Sequence, residues 1–112
     1  MAKIIYEEML TKYRRSGCYI KFLNYDYDIV NEQPILKIII SEANNTISNF
    51  FTQLDLFNVQ KIKLINIEQP ISELEILDYS DNGYDYSVRY RLHDIEDEQV
   101  DIYFQNYMIS KV

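Results

Sequence analysis

Tryptophan is absent from these 112 residues, and cysteine, histidine, glycine and proline are scarce: one Cys, one His, two Gly and two Pro. Each scarcity closes off a class of protein. Cys18 stands alone, so no internal disulfide forms and a secreted, disulfide-stapled scaffold is excluded; the cytoplasm is the expected compartment. Gly17 and Gly83 are isolated, which removes both the phosphate-binding loop and the dinucleotide fingerprint. With so little glycine and proline there is no flexible linker, and one domain over residues 1–112 is expected. The longest apolar cluster, around Ile38-Ile39-Ile40, is far too short to cross a bilayer. No positively charged start precedes an apolar stretch, so neither a signal peptide nor a membrane partner is expected.

Chemistry of sites is equally thin. His93 lies at the edge of a strand-like run beside an acidic stretch, where a solvated strand-end residue is a better account than a general base. Cys18 has alternating apolar neighbours and no basic residue placed to activate it, so it reads as a small buried hydrophobe. Asp78 to Gly83 has a glycine at the sixth place of a calcium loop, but the twelfth place is Arg89 where a bidentate glutamate is needed. No catalytic residue, metal site or cofactor is expected.

What the chain does have is hydrophobic residues, 47% of the total, enough to bury a core. It also has a lopsided charge. Residues 1–67 carry eight basic and seven acidic side chains, a net of +1, whereas residues 68–101 carry eleven acids against Arg89 and Arg91, a net of −9. With Lys111 the total is −7. Such a field repels phosphate backbones and draws cationic surfaces, which disfavours direct nucleic-acid binding and favours a basic protein partner. The same acidity also serves plain solubility. Frequent Ile, Asn, Lys and Tyr fit AT-rich codons, as in a low-GC bacterium or its phages.

Periodicity predicts an α+β fold, mainly β: an N-terminal helix packed on an antiparallel sheet of about six strands, ending in a meander. Ile5, Met9 and Tyr13 recur at helical spacing, with Gly17 placed to end the helix. From Cys18 the period becomes two, and the apolar parity switches near Leu23, which predicts a bulge or bend. Asn31 to Pro34 is turn chemistry, and Ile35 to Ile40 is apolar on both faces except at Lys37, as in a doubly covered strand. Residues 43–57 fit either a helix capped at Asn45 or Thr46 or a loop and a strand through Leu54 and Leu56; the close approach of the strand at Val59 favours the second. Four later runs alternate cleanly, around Ile62, Leu74 to Ile76, Tyr84 to Leu92, and Val100 to Phe104. A turn at 79–83 would set Glu73 near Arg89, and the next hairpin would set Arg91 near Asp101.

Eleven tyrosines are the remaining feature. Tyr84, Tyr86 and Tyr90 share the parity of Val88 and Leu92 and read as packing residues. Tyr79 at the turn and Tyr103 on the polar face are better placed to anchor a partner, because tyrosine offers apolar area with a hydroxyl. Asp81, Asp94, Glu96, Asp97 and Glu98 would supply the steering charge.

The chain resembles the small acidic immunity proteins that bacteria carry beside polymorphic toxins. The resemblance rests on Val59-Gln60-Lys61-Ile62-Lys63-Leu64, Leu74-Glu75-Ile76, Tyr86-Ser87-Val88-Arg89-Tyr90, the acidic hairpin from Asp94 to Glu98, and Val100-Asp101-Ile102-Tyr103-Phe104, about half the chain. It implies a stoichiometric inhibitor, not an enzyme, that caps a toxin's active site in the cytoplasm. Competing readings are a phage-encoded antagonist of a host defence nuclease (anti-CRISPR-like or a DNA mimic), a small-ligand-binding domain, and a subunit that assembles by edge-strand pairing. Monomer and homodimer both stay open.

Overall fold

The computed structural model describes residues 2–13, 17–42, 51–80 and 88–112. The chain is mainly β, in two antiparallel sheets rather than a single six-stranded one. The first sheet holds β1 (Lys3–Ile5), β5 (Lys61–Leu64), β6 (Leu74–Asp78), β7 (Tyr90–Asp94) and β8 (Val100–Phe104), in the order β1-β6-β7-β8-β5. The second holds β2 (Cys18–Asp28), β3 (Gln33–Glu42), β4 (Phe51–Phe57) and β9 (Asn106–Lys111), in the order β2-β3-β4-β9.

Their inner faces share one core. Leu36, Ile38, Ile40, Leu54 and Leu56 from the second sheet join Ile76, Leu92, Val100, Ile102 and Phe104 from the first. Each is almost wholly buried, and burying such a side chain stabilises the fold by roughly 1.5–3 kcal/mol. The alternation expected for the later runs therefore holds in β6, β7 and β8; it fails in β5, where Ile62 is exposed along with Lys61 and Lys63 and only Leu64 is half-buried. On β3 the inner residues are buried while Ile35, Lys37 and Ile39 are half-buried, so the strand is less evenly covered than its apolar run suggests.

One strand pair joins the sheets. Residues 51–64 run antiparallel to 100–111, with Phe57 opposite Asn106 in one sheet and Lys61 opposite Tyr103 in the other. Between them the ladder shifts by one and turns a corner, the usual way for a strand to change sheets. Asn58 takes a positive φ of 54° there, a conformation that asparagine tolerates better than most residues. Backbone hydrogen bonds from Gln105 N to Phe57 O (3.1 Å) and Gln60 N to Tyr103 O (2.8 Å) carry the pairing round the bend. Tyr90, Phe104 and Tyr107 cluster at this corner, with ring centroids 5.0 to 5.9 Å apart.

The N-terminal helix shrinks to one turn, α1 (Glu8–Thr11). The two adjacent β-branched residues Ile4 and Ile5 instead extend as β1 and pair with Leu77 and Ile76 of β6. Leu10 and Tyr13 keep the expected inward direction and are buried. Tyr13 shares a 2.8 Å hydrogen bond with the Thr52 hydroxyl, and Tyr107 donates to Glu7 at 2.5 Å, so the turn is tied to β4 and β9. Gly17 does not end this helix, which stops at Thr11; it takes a φ of 73° and its N–H bonds Tyr13 O at 2.9 Å. The predicted parity switch is a bulge at Lys21, one residue pair before Leu23. The stretch through Leu54 and Leu56 is a strand, while Asn45 to Phe50 lie outside the described residues.

Candidate protein-binding surface

The acidic hairpin between β7 and β8 is built around one of its own acids. Tyr90, Leu92 and Asp94 share one parity on β7, and that parity faces the core. Asp94 is accordingly buried, at 1% exposure, and does not present charge to a partner as expected. Its Oδ1 accepts the Val100 N–H at 2.7 Å and its Oδ2 accepts the Asp97 N–H at 3.2 Å. A carboxylate gripping two backbone donors across a turn fixes the loop's shape. The signal was present in the alternation of β7, hidden by the run of acids that follows.

Beyond this anchor, Ile95, Glu96, Asp97 and Glu98 are exposed. Glu98 adopts a positive φ of 51°. The loop is laced to the segment between β5 and β6. Ile95 N donates to Glu73 O at 3.1 Å, Glu96 N to the Ser72 hydroxyl at 3.4 Å, Ile65 N to Gln99 O at 2.8 Å, and the Gln99 side chain to Asn66 O at 3.0 Å. One end of the first sheet therefore displays Glu96, Asp97 and Glu98 together with exposed Glu68, and the exposed apolar residues Ile65 and Ile95. Glu68 and the two isoleucines were not anticipated. Nothing in their local sequence marks them, since it is the pairing of two loops that brings them together.

The nominated tyrosines stand elsewhere. Tyr103 lies five residues beyond Glu98 along β8, on the order of 15 Å at strand rise, so it does not share the loop's surface. Tyr79 and Tyr103 do meet each other, with Gln60, Lys61 and Val88, around an open hollow of about 370 Å³. Lys61 is the one charged residue that lines this hollow among the described residues, and Arg91, close behind Tyr103, is paired with Asp101. The Arg91 guanidinium lies 5.5 Å from the Tyr103 ring centre and the Lys61 ammonium 5.8 Å. Asp81, nominated beside Tyr79, lies outside the described residues.

The outer face of the first sheet is a ladder of opposite charges. Arg91 Nε meets Asp101 at 2.7 Å, as the expected register required. Glu73 does not reach Arg89. The register of β6 and β7 pairs Glu75 with His93 and Leu77 with Arg91, and the Arg89 partner is Asp78 at 3.6 Å. Cross-strand charge pairs are worth only about 0.2–1 kcal/mol, too little to overrule the burial of Ile76 and Leu92, which sets the register. His93 bonds Glu75 at 2.7 Å rather than standing solvated at a strand end. Cys18 is fully buried, and its thiol is pushed up to about 12, first by burial and then by the charge of Asp94. It is a packing residue at neutral pH, paired through its backbone with Ile71. Among the described residues no group of three or more His, Cys, Asp or Glu could hold a metal ion, and no helix is long and apolar enough to cross a membrane.

No protein-family model matches this chain, and no similar curated protein or solved structure was found.

Proposed function

We propose that the chain is an acidic protein-binding inhibitor, an immunity protein that neutralises a cognate bacterial toxin in the cytoplasm by covering its basic active-site surface. The observation that carries this reading is the anchored hairpin: Glu96, Asp97 and Glu98 project from a loop whose shape Asp94 holds from beneath. Like charges held close and pre-shaped bind a cationic surface without the cost of ordering a floppy loop. They also speed the encounter with it. Ile65 and Ile95 beside them offer the apolar contact that charge alone does not supply.

The test begins with capture of the partner from the native host and its identification by mass spectrometry. Association is then measured with Glu96→Lys, Asp97→Lys and Glu98→Lys combined. Slower association and a weaker dependence on ionic strength are expected. Unchanged kinetics would remove the hairpin from the mechanism. A phage-encoded antagonist of a defence nuclease would use the same physics, and the identity of the captured protein separates the two.

The hollow beside Tyr79 and Tyr103 supports a second reading, a small-ligand site. Aromatic walls with Lys61 beside them suit a flat molecule bearing a negative group. Loss of ligand binding in Tyr103→Ala, with the hairpin variant unaffected, would favour it.

A further inference from the structure

Among the described residues, three of the four sheet edges are short or guarded. β1 has three residues, β5 has four with two lysines among them, and β9 is six residues ending at Lys111. Short strands and lysines are the ordinary defences against edge-to-edge pairing. β2 is the exception, an edge strand of 11 residues. Past the bulge at Lys21 its register with β3 runs without a break from Phe22 to Asp28.

Among the described residues no strand pairs with this edge where it is regular. Tyr27 stands opposite Pro34, and Pro34 turns its carbonyl away from β2 to accept the Val59 N–H at 3.2 Å. Tyr27 therefore belongs to a non-hydrogen-bonded pair and points its own N–H and C=O outward, the N–H reaching only the carboxylate of neighbouring Asp26 at 2.7 Å. Alternation gives Tyr25 and Leu23 the same direction. Side chains match this exposure: Phe22, Leu23, Tyr25 and Tyr27 are each at least 40% exposed, Ile29 is 82% and Val30 is 90%.

We propose that two copies of this chain pair antiparallel through β2, about a two-fold axis at Tyr25, joining their second sheets into one. The inference is independent of the toxin-inhibitor reading. Tyr25 is the midpoint of Phe22 to Asp28, so this register uses the whole regular stretch. It sets Leu23 opposite Tyr27 of the second copy and Tyr25 opposite itself. On the other face Asn24 meets Asp26 and Phe22 meets Asp28, with no acid facing an acid. Centring on Asp26 instead would put that carboxylate against itself, and centring on Tyr27 would oppose Asp26 to Asp28. The three outward residues exchange roughly six backbone hydrogen bonds between copies, and Ile29 comes alongside the stem of Lys21 of the second copy.

Light scattering coupled to gel filtration, across a concentration series of the whole chain, is expected to show mass rising from 13.5 kDa towards twice that value. Tyr25→Pro removes an outward N–H without touching the β2–β3 ladder, and should raise the dissociation constant at least about tenfold with the circular dichroism unchanged. Tyr25→Lys and Tyr25→Glu each place like charges on the axis and should be monomeric alone. Mixed, they should pair with each other, which also decides the matter if Tyr25→Pro fails to fold. A monomer at every concentration would overturn the proposal, as would a dimer indifferent to all three changes.

Discussion

Removing the Asp94 carboxylate is the sharpest way to ask whether the acidic hairpin is held from within. Its two acceptors serve the buried Val100 N–H at 2.7 Å and the Asp97 N–H at 3.2 Å. Hydrogen bonds to a charged group contribute about 1.5–3 kcal/mol each, and an orphaned buried donor costs about 1–3 kcal/mol. Against this stands the relief of no longer burying a charge, which offsets part of the loss. Asp94→Ala should therefore destabilise by roughly 2–4 kcal/mol. Asp94→Asn keeps one carbonyl oxygen but turns an NH₂ towards the other donor, and should lose about half as much. Urea unfolding gives both values, with an unaltered m-value showing that the same surface is exposed. Amide exchange supplies the local readout: Val100 should lose protection more than residues at the far end of β8. An Asp94→Ala variant within about 0.5 kcal/mol of the parent would refute the reasoning. So would an Asp94→Asn variant more stable than the parent, because burial of the charge would then outweigh its bonds.

Other expectations follow from the core and its titrating groups. Cys18 has its thiol pushed above the ordinary 9.0 to about 12. Its contribution is whole below the unfolded value and is lost as pH rises from 9 towards 12. Tyr13 and Tyr107, raised first by burial and then shaped by their bonds to Thr52 and Glu7, act in the same direction. Stability should fall at alkaline pH, and Cys18→Ala should flatten that fall; a thiol reagent at pH 8 should label Cys18 only as fast as the protein unfolds. Tyr13→Phe leaves the buried Thr52 hydroxyl without its 2.8 Å partner and should cost about 1–2 kcal/mol in chemical denaturation. Leu92→Ala, wholly buried between the sheets, should cost about 2–5 kcal/mol, and a smaller loss would show that the site collapses.

The β character of the chain was legible because burial on one face imposes a two-residue rhythm, and β6, β7 and β8 keep it. Asp94 obeys that rhythm too, and reading it as exposed meant trusting residue type over position. The division into two sheets was not legible. The corner at Asn58 to Gln60 and Gln105 leaves the apolar pattern on either side intact, so one bent ladder looks like four separate strands. At the N-terminus the helical stripe of Ile5, Met9 and Tyr13 is real for one turn, yet Ile4 and Ile5 gain more as an edge for β6. Tyr79 and Tyr103 converge on one hollow, away from the acidic loop they were expected to accompany. Lys61 and the Arg91–Asp101 pair reach Tyr103 from neighbouring strands, which distance along the chain conceals.

The placement of β8 governs how the molecule must be made. Its neighbours β7 and β5 both precede it in the chain, yet it lies between them. Until residue 104 has left the ribosome, β5 has no partner and the first sheet stays open; until β9 follows, so does the flank of β4. The β2-β3-β4 and β1-β6-β7 pairings can form during synthesis, but the ladder that joins the two sheets cannot. A nascent chain would carry β5 and the flank of β4 unpaired, in search of company, and chaperone demand should peak just before the bent ladder closes.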